Sequence, residues 1–173
     1  MKRTTLIAAI LLTAAAPAFA QSEGAVWVGG QSMMPSKTIV ANAVNSADHT
    51  TLVAAVKAAG LVPTLESPGP FTVFAPTNAA FAKLPEGTVQ TLLKPENKAK
   101  LTKILTYHVA SGHITPAELA SGKPIKTLEG STVTPSKMGG TYEVNAAHVV
   151  CGDVQTANAT VYIIDSVLMP PTS

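Results

Sequence analysis

The chain has 173 residues, of which 46% are hydrophobic, with 12 Lys+Arg against 10 Asp+Glu and a single cysteine. Lys2 and Arg3 fall in the first twenty residues, so residues 21–173 carry equal numbers of basic and acidic side chains. A neutral chain has no global field to draw it to nucleic acid or anionic lipid, and a lone Cys151 excludes both an intramolecular disulfide framework and a zinc site made of thiolates alone.

The chain opens with the cationic Met1-Lys2-Arg3. An apolar run from Leu6 to Leu12 follows and continues through Ala14–Ala16. Pro17-Ala18-Phe19-Ala20 places small residues at the −3 and −1 positions of a cut before Gln21. This pattern predicts a signal peptide over 1–20 and an exported product, periplasmic or secreted. The run is shorter than the roughly 20 residues that span a bilayer, so no transmembrane segment is expected after cleavage.

Residues 21–37 read as a leader segment, because Gly24, Gly29, Gly30, Ser32, Pro35 and Ser36 interrupt any regular pattern. Trp27, the only tryptophan, is expected to anchor this segment over the domain surface, or else to be presented to a partner by a free tail.

Asn42 to Gly60 reads as helical. Asp48 is placed to cap it, Leu52, Val53, Val56 and Ala59 share a face, and Gly60 is a natural stop. Pro63 and Pro68-Gly69-Pro70 mark turns. Phe71–Phe74 reads as a buried strand, and Thr77 caps a short helix that turns Phe81 and Leu84 inward. A second short helix is expected over about Thr88–Leu93. A third starts near Pro95, with Leu101, Ile104 and Leu105 on one face.

Strand-like runs then take over, at Tyr107–Val109, Lys126–Leu128, Thr132–Pro135, Thr141–Asn145, His148–Val154 and Thr160–Leu168. Helices first and strands later predict an α+β class. The last run is apolar on both faces, which predicts a central, buried strand. Asp165 inside that run needs local hydrogen bonds or a cation.

No G-x-S-x-G elbow, phosphate-cradling glycine loop or H-E-x-x-H motif is present. His49, His108, His113 and His148 have no pairwise spacing that suits one helix face, and the acids are scattered, so no catalytic, metal or cofactor site is expected. Lys94, Lys98, Lys100 and Lys103 form the one charge cluster, read as a solvated helix face or a weak acidic-polysaccharide contact. Cys151 reads as a small buried hydrophobe. Asn158-Ala159-Thr160 matches a glycosylation sequon but reads better as a turn entering a strand.

Three stretches together carry a resemblance. The run Phe71-Thr72-Val73-Phe74-Ala75-Pro76-Thr77-Asn78-Ala79-Ala80-Phe81, then Tyr107-His108-Val109 with Gly112, and then Asn158 through Pro170 resemble the three signatures of the fasciclin (FAS1) family, in family order. The chain is similar to the bacterial secreted members, mycobacterial secreted antigens among them. Ala159 and Tyr162 stand where Gly and His are frequent in the family.

The resemblance implies a wedge of two small β-sheets packed with several helices over 38–170, with 171–173 a tail. It also implies an extracellular, non-enzymatic adhesion or binding module. In animal members the Tyr-His region is linked to receptor contact, which makes Tyr107 and His108 candidate contact residues here; read from the residues alone, His108 is a hydrogen-bonded structural residue whose replacement by Ala loosens the domain, and Asp165 is a structural candidate. The expected partner is a protein or a cell-surface polysaccharide, met by a monomer. A periplasmic carrier of a small apolar ligand, an enzyme with an unfamiliar site, or an envelope protein without a discrete ligand are the other readings.

Overall fold

The computed structural model describes residues 26–171. The predicted signal peptide, residues 21–25 of the leader and the last two residues lie outside the described residues.

The leader is more regular than expected. Strands β1 (Val26–Val28) and β2 (Gln31–Met33) pair as a hairpin across Gly29-Gly30. Both glycines have positive φ, at +56° and +74°. That is the backbone a two-residue hairpin turn demands and only glycine adopts freely. The hairpin is fastened by buried Val28 and Met33, not by Trp27, which is 73% exposed. The side chain of Asn42 secures the segment that follows. Its Oδ1 accepts from the Met34 N–H, and its Nδ2 donates to the Met34 and Lys37 carbonyls.

Helices α1 (Ile39–Ala43), α2 (Thr50–Ala59) and α3 (Val62–Glu66) come next. Gly60 closes α2 in the left-handed conformation, as its position suggests. Asp48 makes no cap. Instead Asn78, 27 residues away, accepts the Thr51 N–H at 3.0 Å. Pro63 lies in the first turn of α3 rather than in a turn between elements, because a missing N–H costs nothing there.

Strand β3 (Phe71–Pro76) leads into α4 (Asn78–Ala82), whose Ala80 N–H is capped by Thr77. Helix α5 (Thr88–Leu92) and a 3₁₀ turn at Pro95–Asn97 precede α6 (Lys98–Tyr107). Tyr107 and His108 end this helix instead of starting a strand. Strand β4 is Val109–Ser111.

A further helix, α7 (Pro116–Ala120), was masked by the strand-rich context. Its start is a capping box in which Thr115 and Glu118 bond each other's backbone, with Pro116 in the first turn. The chain then forms β5 (Ile125–Lys126), β6 (Thr132–Val133), β7 (Pro135–Met138), β8 (Thr141–Val144), β9 (Ala147–Gln155) and β10 (Ala159–Ile164). The last strand stops at Ile164, so Asp165 sits just past it and not within a buried run.

Six strands line up as β4-β3-β10-β9-β8-β7, with β5-β6 and β1-β2 as separate pairs. The expected two small sheets are the two halves of this order, joined through long β9, which pairs with β8 at its start and β10 further on. Strand β10 runs parallel to β3 and antiparallel to β9, and all six of its residues are buried. Gly152 makes the bulged β9 possible, since a Cβ there would come within 2.9 Å of the Tyr162 ring.

Two cores lie on opposite faces of β3 and β10. Val73, Ala75, Val161 and Ile163 pack with Leu52, Val56, Leu101, Ile104 and Leu105 of the helices. Phe74, Tyr162 and Ile164 pack with Tyr107, Leu119, Ile125, Val133 and Val144. The alternating apolar side chains of β10 thus feed two cores at once, and the class is α+β.

Candidate binding surface

After β4 the chain turns through Gly112-His113-Ile114 before α7. This loop is held by hydroxyls from the two central strands, whose Thr72 and Thr160 stand in register. Thr72 Oγ1 donates to the Gly112 carbonyl at 2.8 Å and accepts the Ile114 N–H at 2.9 Å. The His113 ring bonds Thr160 Oγ1. Tyr162 OH donates to the Ile114 carbonyl at 2.7 Å.

Thr72, Thr160 and Tyr162 are all essentially buried. Buried hydroxyls are costly unless bonded, and each of these has at least one bond to this loop. Burial, with Asp153 and Glu118 in the vicinity, pushes the Tyr162 phenol well above its ordinary pKa, which keeps it a neutral donor.

The loop forms a ridge between two open grooves. On the α7 side, Ser111, Ile114, Ala117, Ser121, Ile125 and Leu128 line a groove of about 860 Å³, with Lys123 and Lys126 on its wall. Glu118 also borders it, but its carboxylate bonds the Thr115 N–H and hydroxyl, which hold it below the usual carboxylate range. On the other side, His113 faces a groove of about 370 Å³ lined by Pro68–Phe71 and residues 155–160. The apolar gap among α1, α2, α3 and Leu105 encloses only about 50 Å³. A site for a small apolar ligand needs about 300 Å³ or more, so this gap does not favour the carrier reading. Among the described residues, no three His, Cys, Asp or Glu side chains gather closely enough to hold a metal ion, and no helix is long and apolar enough to cross a membrane.

Tyr107 and His108 lie in the interior of the domain. The Tyr107 hydroxyl donates to the Thr132 carbonyl and accepts from Asn145 Nδ2, both at 3.1 Å. His108 Nδ1 lies 2.8 Å from the Ile104 carbonyl, and its Nε2 lies 2.9 Å from the Leu168 N–H. A carbonyl can only accept and an N–H can only donate, so the ring is neutral with its proton on Nδ1. Burial pushes its pKa down to about 4, against the smaller upward pull of the Ile104 carbonyl.

The Fasciclin domain family matches residues 47–170. The chain belongs to the fasciclin domain family. It is 53% identical over 134 residues to Protein sll1483 of Synechocystis, covering 78% of this chain and 74% of that one. It is 47% identical over 159 residues to Immunogenic protein MPB70 of Mycobacterium bovis, covering 89% and 78%. Cell surface glycolipoprotein MPB83 of the same species is 50% identical over 111 residues, covering 64% of this chain and 48% of that one. A solved FAS1 domain pair from the insect cell adhesion molecule Fasciclin I shares the fold, with a TM-score of 0.72 at 18% identity, covering 79% of this chain and 52% of that chain.

Within this fasciclin fold the Tyr-His positions are interior. Tyr107 is 3% and His108 2% exposed. This geometry agrees with the structural reading of the pair: both brace the domain, because a buried polar ring is stable only when its bonding atoms are matched inside.

Asp165 is half-buried and bonded on all sides. It accepts from Lys83 Nζ and from the His148 N–H at 2.9 Å each, and from Ser166 Oγ at 3.0 Å. Desolvation works against its charge, but these donors outweigh it and hold the carboxyl below its ordinary value. Trp27 is exposed on its hairpin.

Of the lysine cluster, Lys103 pairs with Glu129 at 3.5 Å. Cys151 is half-buried against the helical core and free. Asn158 spends its amide on the Leu65 and Ser67 carbonyls and the Ile39 N–H, a structural cross-link at the sequon. The ridge itself escaped sequence reasoning. Its signal was Thr72, Thr160 and Tyr162, polar residues at inward positions of otherwise apolar strands.

Proposed function

We propose that the chain is an exported, non-enzymatic binding module whose α7 groove takes a segment of a surface polymer, protein or glycan. The observation that supports this reading is the ridge 112–114. Two buried hydroxyls from two central strands, Thr72 and Tyr162, fix its backbone, and a third, Thr160, holds the His113 ring, beside the larger of the two grooves. A loop held that firmly loses little conformational freedom when a partner docks, which is how preorganisation raises affinity. The groove wall mixes apolar Ile114, Ile125 and Leu128 with Ser111, Ser121, Lys123 and Lys126, a lining suited to an amphipathic chain rather than to a small apolar molecule. The cell-surface name of one relative agrees with such a role.

The test is crosslinking capture from intact cells and their surface polymers with residues 21–173. Wild type is expected to capture a partner, and Ala117→Trp, which fills the groove from exposed α7, to lose it at unchanged melting temperature. Equal capture by Ala117→Trp, or loss of capture on truncation before Thr38 with the domain still folded, places the function elsewhere. Failure of wild type to capture anything supports the ligand-free envelope reading.

A further inference from the structure

The groove on the far side of the ridge contains a polar chain that the α7 groove does not use. Gln155 Nε2 donates to the Asp153 carboxylate. That bond fixes which way the amide points, so Gln155 Oε1 is the acceptor facing Thr160, whose Oγ1 donates to it at 3.3 Å. Thr160 has one hydroxyl proton and has given it away, so its oxygen accepts from His113 Nδ1. When the ring carries a single proton, that proton therefore sits on Nδ1 and the Nε2 lone pair is bare. Nε2 has no hydrogen-bond partner among the described residues and is not among the buried unpaired atoms.

The relay orients the ring; it does not conduct protons, because the Gln155 amide has no proton to pass on at neutral pH. The Thr160 hydroxyl beside His113 is buried and turns its proton to Gln155 rather than to the imidazole, so the pair is not arranged as an activated nucleophile and its base.

The other polar side chains of this groove are already committed. Asn158 uses both amide atoms as described above. Thr156 Oγ1 donates to the Ala159 carbonyl and accepts the Ala159 N–H. Among the described residues, no Lys, Arg, Asp or Glu lines the groove. Its remaining wall is Pro68, Pro70, half-buried Phe71 and Ala157. A bare imidazole acceptor and the second N–H of the Gln155 amide, without a cation, do not suit an anion. A ligand that donates through a hydroxyl and lays C–H groups on proline and phenylalanine suits it.

We infer that this groove is a subsite for a neutral saccharide, with His113 Nε2 accepting a ring hydroxyl. It stands apart from the α7 groove, and either site can fail without the other.

Two measurements test it. With the imidazole neutral, long-range ¹H–¹⁵N spectra are expected to show the Nδ1–H tautomer of His113. In Gln155→Ala, an exposed change, the Thr160 hydroxyl is freed to donate to Nδ1, and the tautomer is expected to shift toward Nε2–H. Titration with a panel of neutral disaccharides (maltose, cellobiose, lactose, mannobiose) at millimolar levels is expected to move the amide signals of residues 155–159. At least one sugar should bind about tenfold more weakly to His113→Ala of unchanged melting temperature, and more weakly to Gln155→Ala. A wild-type Nε2–H tautomer, silence from the whole panel, or equal binding by His113→Ala or Gln155→Ala overturns the inference.

Discussion

His108 shows how a single ring can set the acid limit of the domain. Its unfolded pKa is about 6.5, and burial holds the folded value at about 4. Above pH 6.5 both states are neutral and the full stability is present. Below it the unfolded chain takes up a proton that the folded one refuses, so stability falls as pH drops from about 6.5 toward 4. The loss is on the order of 3 kcal/mol. His49, also buried and lowered by desolvation, acts in the same direction. Urea unfolding at pH 7.5 and 4.5 is expected to show this slope, and His108→Gln to flatten part of it. His108→Ala leaves the Ile104 carbonyl and the Leu168 N–H unpaired beside a cavity, at a cost of about 3–5 kcal/mol. A His108→Ala variant with unchanged melting temperature contradicts the bracing role. Tyr162→Phe removes the donor to Ile114 and is expected to cost about 1–2 kcal/mol. Faster amide exchange at Ile114 should mark the loosened ridge.

At the scale of elements, caps decide where helices start, and only some caps are local. Thr77 and Thr115 act within three residues of themselves, so a short sequence window contains both partners. Thr115→Ala is expected to cost about 1 kcal/mol and to fray α7, the wall of the larger groove, as read by circular dichroism and melting temperature. Helix α2 is capped instead by Asn78, which also donates to the Ala47 carbonyl at 2.8 Å. Nothing near Thr50 announces that partner, and so Asp48 looked the better candidate. The same limit applies to β10. Its apolar run continues through Val167 and Leu168, but the Asp165 carboxylate turns to Lys83 and the His148 N–H, and the strand ends where that network starts.

For the whole molecule, the leader belongs with the core. Val28 and Met33 are buried among Ile39, Leu52, Val154 and Val161, and Asn42 bonds the chain that follows. Truncation before Thr38 exposes that patch and leaves Asn42 unpaired. It is expected to lower stability by about 2–4 kcal/mol, read by the denaturant midpoint in the same buffer. An equal midpoint contradicts the fastening.

The three family signatures, the α+β order and the burial of the last strand were all determined by the sequence itself, because side-chain periodicity and short-range capping act over a few residues. The tertiary structure alone decided that Tyr107 and His108 face inward, that Trp27 faces outward, and that Thr72, Thr160 and Tyr162 converge on one loop. Those outcomes depend on strands 40 to 90 residues apart lying in register, and a polar residue's partner at such a separation leaves no trace in the residues around it.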